Sequence, residues 1–140
     1  MSESTEAVGK CLCGAVEIRA SQLSRQLGAC HCSMCRQWAS GPFLALDGQQ
    51  AVRMSGEEFI SCYASSEWAE RAFCSQCGTH LFYRLKATDQ HILSAGLFDL
   101  DEELEFDHQI FIDEKPGYYC FADKTKNMTG AEVFAAFSGE

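Results

Sequence analysis

Cys30-His31-Cys32-Ser33-Met34-Cys35-Arg36 puts three thiols into six consecutive residues, with a histidine between the first two. Core packing gives no reason for such a cluster. Thiolates are soft ligands that select zinc, copper(I) or iron–sulfur chemistry, and zinc held by protein sulfur is tetrahedral with a Zn–S distance of about 2.3 Å. Three local thiolates leave one corner of that tetrahedron open. Four protein ligands close a structural zinc site, whereas three plus an exchangeable position mark a catalytic one. Cys30, Cys32 and Cys35 are therefore the candidate catalytic metal ligands. Ser33 to Trp38 reads as one helical turn whose first amides face the sulfurs. In an extended segment His31 points away from its two cysteine neighbours, as a strand histidine with a hydrogen-bonded ring; ligation and substrate contact are the alternatives. Arg36 is read as offsetting thiolate charge or holding a substrate carboxylate, against the plainer reading of a solvated arginine.

Outward from this stretch, the cysteines at 11, 13, 62, 74, 77 and 120 bring the total to nine. An odd number, and an N-terminus (Met1 to Lys10) without a basic flank and apolar run, argue against a secreted disulfide framework. Seven of the nine fall in C-x-C, C-x-C-x-x-C and C-x-x-C clusters, where neighbouring sulfurs converge on an ion more readily than they bridge each other. Cys74 and Cys77 form a zinc-knuckle half site that needs two more sulfurs, and Cys11 and Cys13 supply them. Such a site closes a loop of about 60 residues and constrains a small β domain. Gly14, just after its pair, suits the positive φ that turns the backbone beside a metal, and Gly78 can release the chain from the knuckle turn. Cys62, inside an apolar run, reads as a buried free thiol. If both sites are structural, Cys62 or Cys120 has to complete the central one.

At 140 residues and 46% hydrophobic content the chain is expected to form one domain over 10–140, preceded by a flexible polar run over 1–9. Its formal net charge is −9, and seven thiolates with two zinc ions carry it to about −12, which repels phosphate backbones. Nucleic acid is excluded as a partner on that ground. No stretch reaches the roughly 18 apolar residues of a membrane span, so a soluble, cytoplasmic protein without a membrane partner is expected.

The remaining chain reads as short strands. Val16 and Ile18 alternate with Glu17 and Arg19; a polar connection covers Ser21 to Gln26, and Leu27 to Cys32 is a strand. Phe43 to Leu46 and Ala51 to Met54 flank Asp47-Gly48, a hairpin-type dipeptide. Phe59 to Tyr63, Trp68 to Phe73, His80 to Leu85, Gln90 to Ala95 and His108 to Ile112 follow, and Thr129-Gly130-Ala131-Glu132 is a capping box ahead of a short C-terminal helix. The predicted class is mainly β.

In order, Cys11-x-Cys13-Gly14, Cys30-His31-Cys32-x-x-Cys35-Arg36 and Phe73-Cys74-x-x-Cys77-Gly78-Thr79-x-Leu81 resemble the glutathione-dependent formaldehyde-activating enzyme and centromere protein V family. The resemblance extends to Gly56, Tyr63-x-Ser65-Ser66, Arg71, His108-Gln109-Ile110 and Lys115, over roughly residues 8–123. It implies a β-tent fold of several small antiparallel sheets and two zinc ions per chain. Cys11, Cys13, Cys74 and Cys77 would be structural ligands, and Cys30, Cys32 and Cys35 would hold the ion with the open position. It also implies carbon–sulfur lyase chemistry on a small thiol adduct such as S-hydroxymethylglutathione, and a homodimer is compatible with it. His31, His80 and His108 are candidates for the proton transfer, and Arg36, Arg53 and Arg71 for the carboxylates of glutathione. Gly96-Leu97-Phe98-Asp99 and Tyr118-Tyr119 depart from the pattern and bear on substrate recognition. The rival reading is a zinc-stabilised binding module without turnover, both ions being structural.

Overall fold

Alternation of apolar and polar residues produces a mainly β chain, and the structure, a computed structural model, describes residues 4–138. Strands β1 (Ser4–Lys10) and β2 (Glu17–Ser24) form an antiparallel ribbon, and β3 (Gln26–Cys30) leads into helix α1 (Ser33–Ala39). Then follow β4 (Phe43–Gln49), β5 (Val52–Ser55), β6 (Ile60–Tyr63), β7 (Ala69–Cys74), β8 (His80–Leu85), β9 (Gln90–Ser94) and β10 (Glu105–Ile110), with β11 (Lys126–Met128) and helix α2 (Gly130–Ser138) at the end.

These strands make two sheets. One has the order β1-β2-β5 and is antiparallel; the other has the order β11-β10-β3-β4-β9-β8-β7-β6. The mainly β class holds. The larger sheet is mixed rather than wholly antiparallel, because β10 runs parallel to both β3 and β11. The main core includes Val16, just ahead of β2, and Ile18, Ala20 and Leu23 of the first sheet with Leu46, Leu81 and Leu93 of the second, all fully buried. A second apolar cluster gathers Phe43, Phe111 and Val133 around Cys30, Cys32 and Cys35.

Four local expectations are corrected. Of residues 1–9, expected to be flexible, 4–9 lie in β1 and pair with β2 through Ala7↔Ala20 and Gly9↔Ile18, burying Ala7; residues 1–3 lie outside the described residues. Ser21 to Ser24, expected as a connection, continues β2 because Leu23 is buried. Asp47-Gly48 does not turn a hairpin. Strand β4 runs through it and the chain reverses at Gln49, whose φ is 54°, after which β5 joins β2 in the other sheet. Gly48 is needed there for space, since a β-carbon would sit 2.7 Å from Leu93 Cδ1 and 2.9 Å from Val52 Cγ2. Cys62 is exposed, because β6 is the edge strand of its sheet and nothing covers that side chain.

At the C-terminus the capping box forms as its sequence requires: Glu132 accepts from the Thr129 amide at 2.8 Å and Thr129 Oγ1 accepts from the Glu132 amide at 3.2 Å. Among the described residues no helix is long and apolar enough to cross a membrane.

Candidate metal centre

Each cysteine cluster is made by a turn that folds neighbouring sulfurs onto one point. In the first, Gly14 and Gly78 take φ of 81° and 80°, and their amides donate to the carbonyls of Cys11 (3.1 Å) and Cys74 (2.8 Å). These tight turns carry Cys11 and Cys13 toward Cys74 and Cys77, and the four Sγ atoms lie within 4.8 Å of one another. The Cys11–Cys13 and Cys13–Cys74 separations are 3.6 and 3.8 Å. A tetrahedral ion with sulfurs at about 2.3 Å has an edge of about 3.8 Å, so the set fits zinc without rearrangement. The Val16 amide donates to Cys11 Sγ at 3.3 Å, and the Thr79 hydroxyl, 3.1 Å away, is the main cause that brings the Cys77 thiol down to about 5. Donors to sulfur favour thiolate, the form that binds a metal.

The second cluster straddles the end of β3 and the start of α1. Cys32 is the N-cap of that helix, its sulfur accepting from the Cys35 amide at 3.3 Å. Cys30, Cys32 and Cys35 are all buried, again with Sγ atoms within 4.8 Å of one another. Their hydrogen bonds divide the protons unequally. Bonds from Cys30 and then Cys35 pull Cys32 down to about 2, while bonding to Cys32 pushes Cys30 far up. Three crowded sulfurs cannot all ionise alone, and a divalent cation is what allows them to. The donor set fits zinc with one open corner.

No fourth protein donor joins the three sulfurs among the described residues. Cys62 and Cys120 are exposed elsewhere. The His31 ring, fully buried, turns to the other face of β3, where Nε2 donates to Gln109 Oε1 at 2.7 Å and Nδ1 accepts from the Tyr119 hydroxyl at 2.8 Å. Burial lowers its pKa and keeps the ring neutral. Arg36 also stays off the cluster, its Nε donating to the His31 carbonyl oxygen at 2.9 Å. Neither residue lines the cavity beside the cluster.

The arginine that reaches the thiolates is Arg71 on β7. Its Nη1 donates to Cys35 Sγ at 3.4 Å, and its Cζ stands 5.2 Å from the ring centres of both Trp38 and Tyr83. Cation–π contact on two faces holds this buried guanidinium in place. His80 stacks on Trp38 with centroids 4.2 Å apart, and burial lowers its pKa.

A cavity of about 610 Å³ opens at the cluster, walled by β3, β4, β7 to β11 and α2. Of the three histidines considered from the sequence for proton transfer, only His108 lines it. The register shifts between Phe106 and His108, leaving Asp107 as the extra residue, and this irregularity brings adjacent side chains together. His108 Nδ1 lies 2.7 Å from Asp107 Oδ1 and donates to it, which leaves Nε2 to accept. His108 pairs with Gly28, and Ile110 with Cys30, so the ring is two residues, about 7 Å, along the strands from the cluster. Gly28 makes room for it, since a β-carbon there would collide with the imidazole. The aromatic brackets of Arg71, the Asp107–His108 pair and the α2 wall were not foreseen from sequence. Arg71 and His108 were named; their partners had no local signal.

Residues 6–114 match the family model described as glutathione-dependent formaldehyde-activating enzyme. A Schizosaccharomyces pombe protein named as an uncharacterized lyase is 41% identical over 129 residues, spanning 91% of this chain and 94% of the relative. A crystal structure of a Rhodobacter sphaeroides protein superposes with a TM-score of 0.56 at 25% identity, covering 64% of this chain and 85% of that one.

Proposed function

The chain belongs to the glutathione-dependent formaldehyde-activating enzyme family, and we propose that it is a zinc-dependent carbon–sulfur lyase acting on a glutathione-type thiol adduct of the S-hydroxymethylglutathione kind. One observation carries this reading: three buried cysteines, with no fourth protein donor among the described residues, open onto a cavity of about 610 Å³. A binding module with two structural ions needs that corner filled.

In this reading Cys11, Cys13, Cys74 and Cys77 hold a structural zinc, and Cys30, Cys32 and Cys35 hold a second. When bound there, zinc supplies an exchangeable position that takes a soft sulfur and lowers the pKa of that thiol. The chain's own residues supply the rest. Arg71 offsets one thiolate charge through Cys35, and its clamp between Trp38 and Tyr83 fixes that contact. His108 Nε2 takes the adduct's hydroxyl proton while Asp107 orients the ring. The carbon–sulfur bond breaks with its electron pair on sulfur, and the carbon becomes a carbonyl. The reverse direction uses the same groups. His31 and Arg36 act as positioning residues: their bonds to Gln109, Tyr119 and the His31 carbonyl hold the strand between two ligands. A reducing, cytoplasmic setting goes with seven cysteines that must remain thiolates.

The test is exchange of carbon-labelled formaldehyde between its hydrate and its glutathione adduct, followed by NMR with zinc-loaded protein. Acceleration that disappears in Cys32→Ser supports the lyase. Exchange no faster than in buffer for the wild type, at full zinc content, refutes it for this adduct.

A further inference from the structure

The cavity at the three-cysteine cluster is walled mainly by apolar side chains beyond the sulfurs, and we propose that the carbonyl half of the substrate is an uncharged aliphatic or aromatic group. This rests on the lyase reading and narrows its substrate. The cavity's volume of about 610 Å³ falls in the range of small-molecule sites. It is bounded by side chains such as Phe43, Ile92, Ile110, Val133 and Phe134.

Charge points the same way. Arg71 is the one Lys or Arg on the described wall, and its Nη1 is already on Cys35. Three thiolates, a divalent ion and this guanidinium cancel, so no net positive charge remains at the cluster to draw in an anion. Asp47, the wall carboxylate, already accepts from the Gln49 amide and the Gln90 side chain, at 2.8 and 2.7 Å, and repels another carboxylate. The two carboxylates of glutathione therefore stay at the mouth, and the apolar interior receives the other half of the adduct. Two large apolar side chains, Trp68 and Phe134, are 42% and 52% exposed and meet edge to face with centroids 6.1 Å apart. Both line the cavity, and an apolar substrate covers them.

The reaction is a retro-addition and needs no oxidant. The hydroxyl proton of the hemithioacetal passes to His108, the carbon–sulfur pair leaves with sulfur, and the carbon becomes the aldehyde carbonyl. The sulfur is then protonated on release.

Two measurements test the assignment. Calorimetric titration of zinc-loaded protein with S-methyl-, S-butyl- and S-hexylglutathione is expected to show affinity rising about fourfold per methylene. That gain should vanish in Ala45→Phe, and also in Ala136→Trp, on an exposed position of α2 where folding is not at stake. Exchange of the glutathione hemithioacetals of formaldehyde, butanal and benzaldehyde is expected to give kcat/KM at least about tenfold, and at fourfold per carbon up to about 60-fold, higher for the larger two. Flat affinity along the series, with the formaldehyde adduct turned over best, overturns this assignment and leaves the lyase reading standing. No exchange with any adduct overturns the lyase reading, and the assignment with it.

Discussion

Arg71 Nη1 donates to Cys35 Sγ at 3.4 Å across 36 residues of sequence, making a buried cation the outer partner of a sulfur in the three-cysteine cluster that could hold a metal. Removing such a partner typically lowers metal affinity 10- to 100-fold. Arg71→Leu is therefore expected to weaken zinc at the central cluster by about that factor while the four-cysteine site keeps its ion. Competition with a chromophoric chelator, which resolves the two sites by affinity, measures it. Arg71→Lys should recover little, because an ammonium cannot both stack between Trp38 and Tyr83 and reach the sulfur.

The two clusters should differ in what their loss does. Cys74 is fully buried in the main core, and its site ties the N-terminal strands to the middle of the chain. Structural zinc contributes of order 10 kcal/mol, comparable with the whole stability of a domain, so Cys74→Ser is expected to unfold the protein. Cys32→Ser should remain folded with one zinc per chain. Circular dichroism with elemental analysis separates them, and equal collapse of both would contradict the division of roles.

His108→Ala is expected to cut turnover by about 100-fold or more without changing zinc content. Asp107→Asn should lower kcat with KM unchanged, since Asp107 orients the ring without touching substrate. Gly28→Ala should resemble His108→Ala, because its β-carbon displaces the imidazole. Steady-state kinetics on zinc-loaded variants reads all three.

His91 is expected to make the fold acid-sensitive. It is 8% exposed, packs edge-on against Phe82 at 5.0 Å, and its buried Nδ1 has no hydrogen-bond partner among the described residues. Burial lowers its pKa below the ordinary 6.5. The unfolded chain then binds the proton first, so stability is complete above about pH 6.5 and falls as pH drops, by up to about 1.4 kcal/mol per unit. His91→Phe should flatten the difference between pH 7.5 and 5.5 in chemical denaturation of the zinc-loaded protein by that amount.

Much of this was legible in the chain because metal ligands are set by short local spacing. Cys30, Cys32 and Cys35 within six residues, and the two glycine-terminated pairs, announce their clusters before any fold is known. Alternation placed most strands, but strand partners follow from packing. Asp47-Gly48 has turn chemistry, yet close contact with Leu93 and Val52 fixes Gly48 inside β4. Cys62 sits in an apolar run, and only its place on an edge strand leaves it exposed. The cavity was the least legible feature. Its walls come from β3, β4, β7 to β11 and α2, with Arg71 and Cys35 brought together from distant positions.

The most direct test of the open three-cysteine site is zinc-edge X-ray absorption on protein carrying two zincs per chain, before and after addition of reduced glutathione. An average of about 3.5 sulfur neighbours per zinc is expected, rising to about 4 when the thiol enters the central site. An average already at about 4 and indifferent to glutathione would mean that both sites are closed, and would contradict the open site.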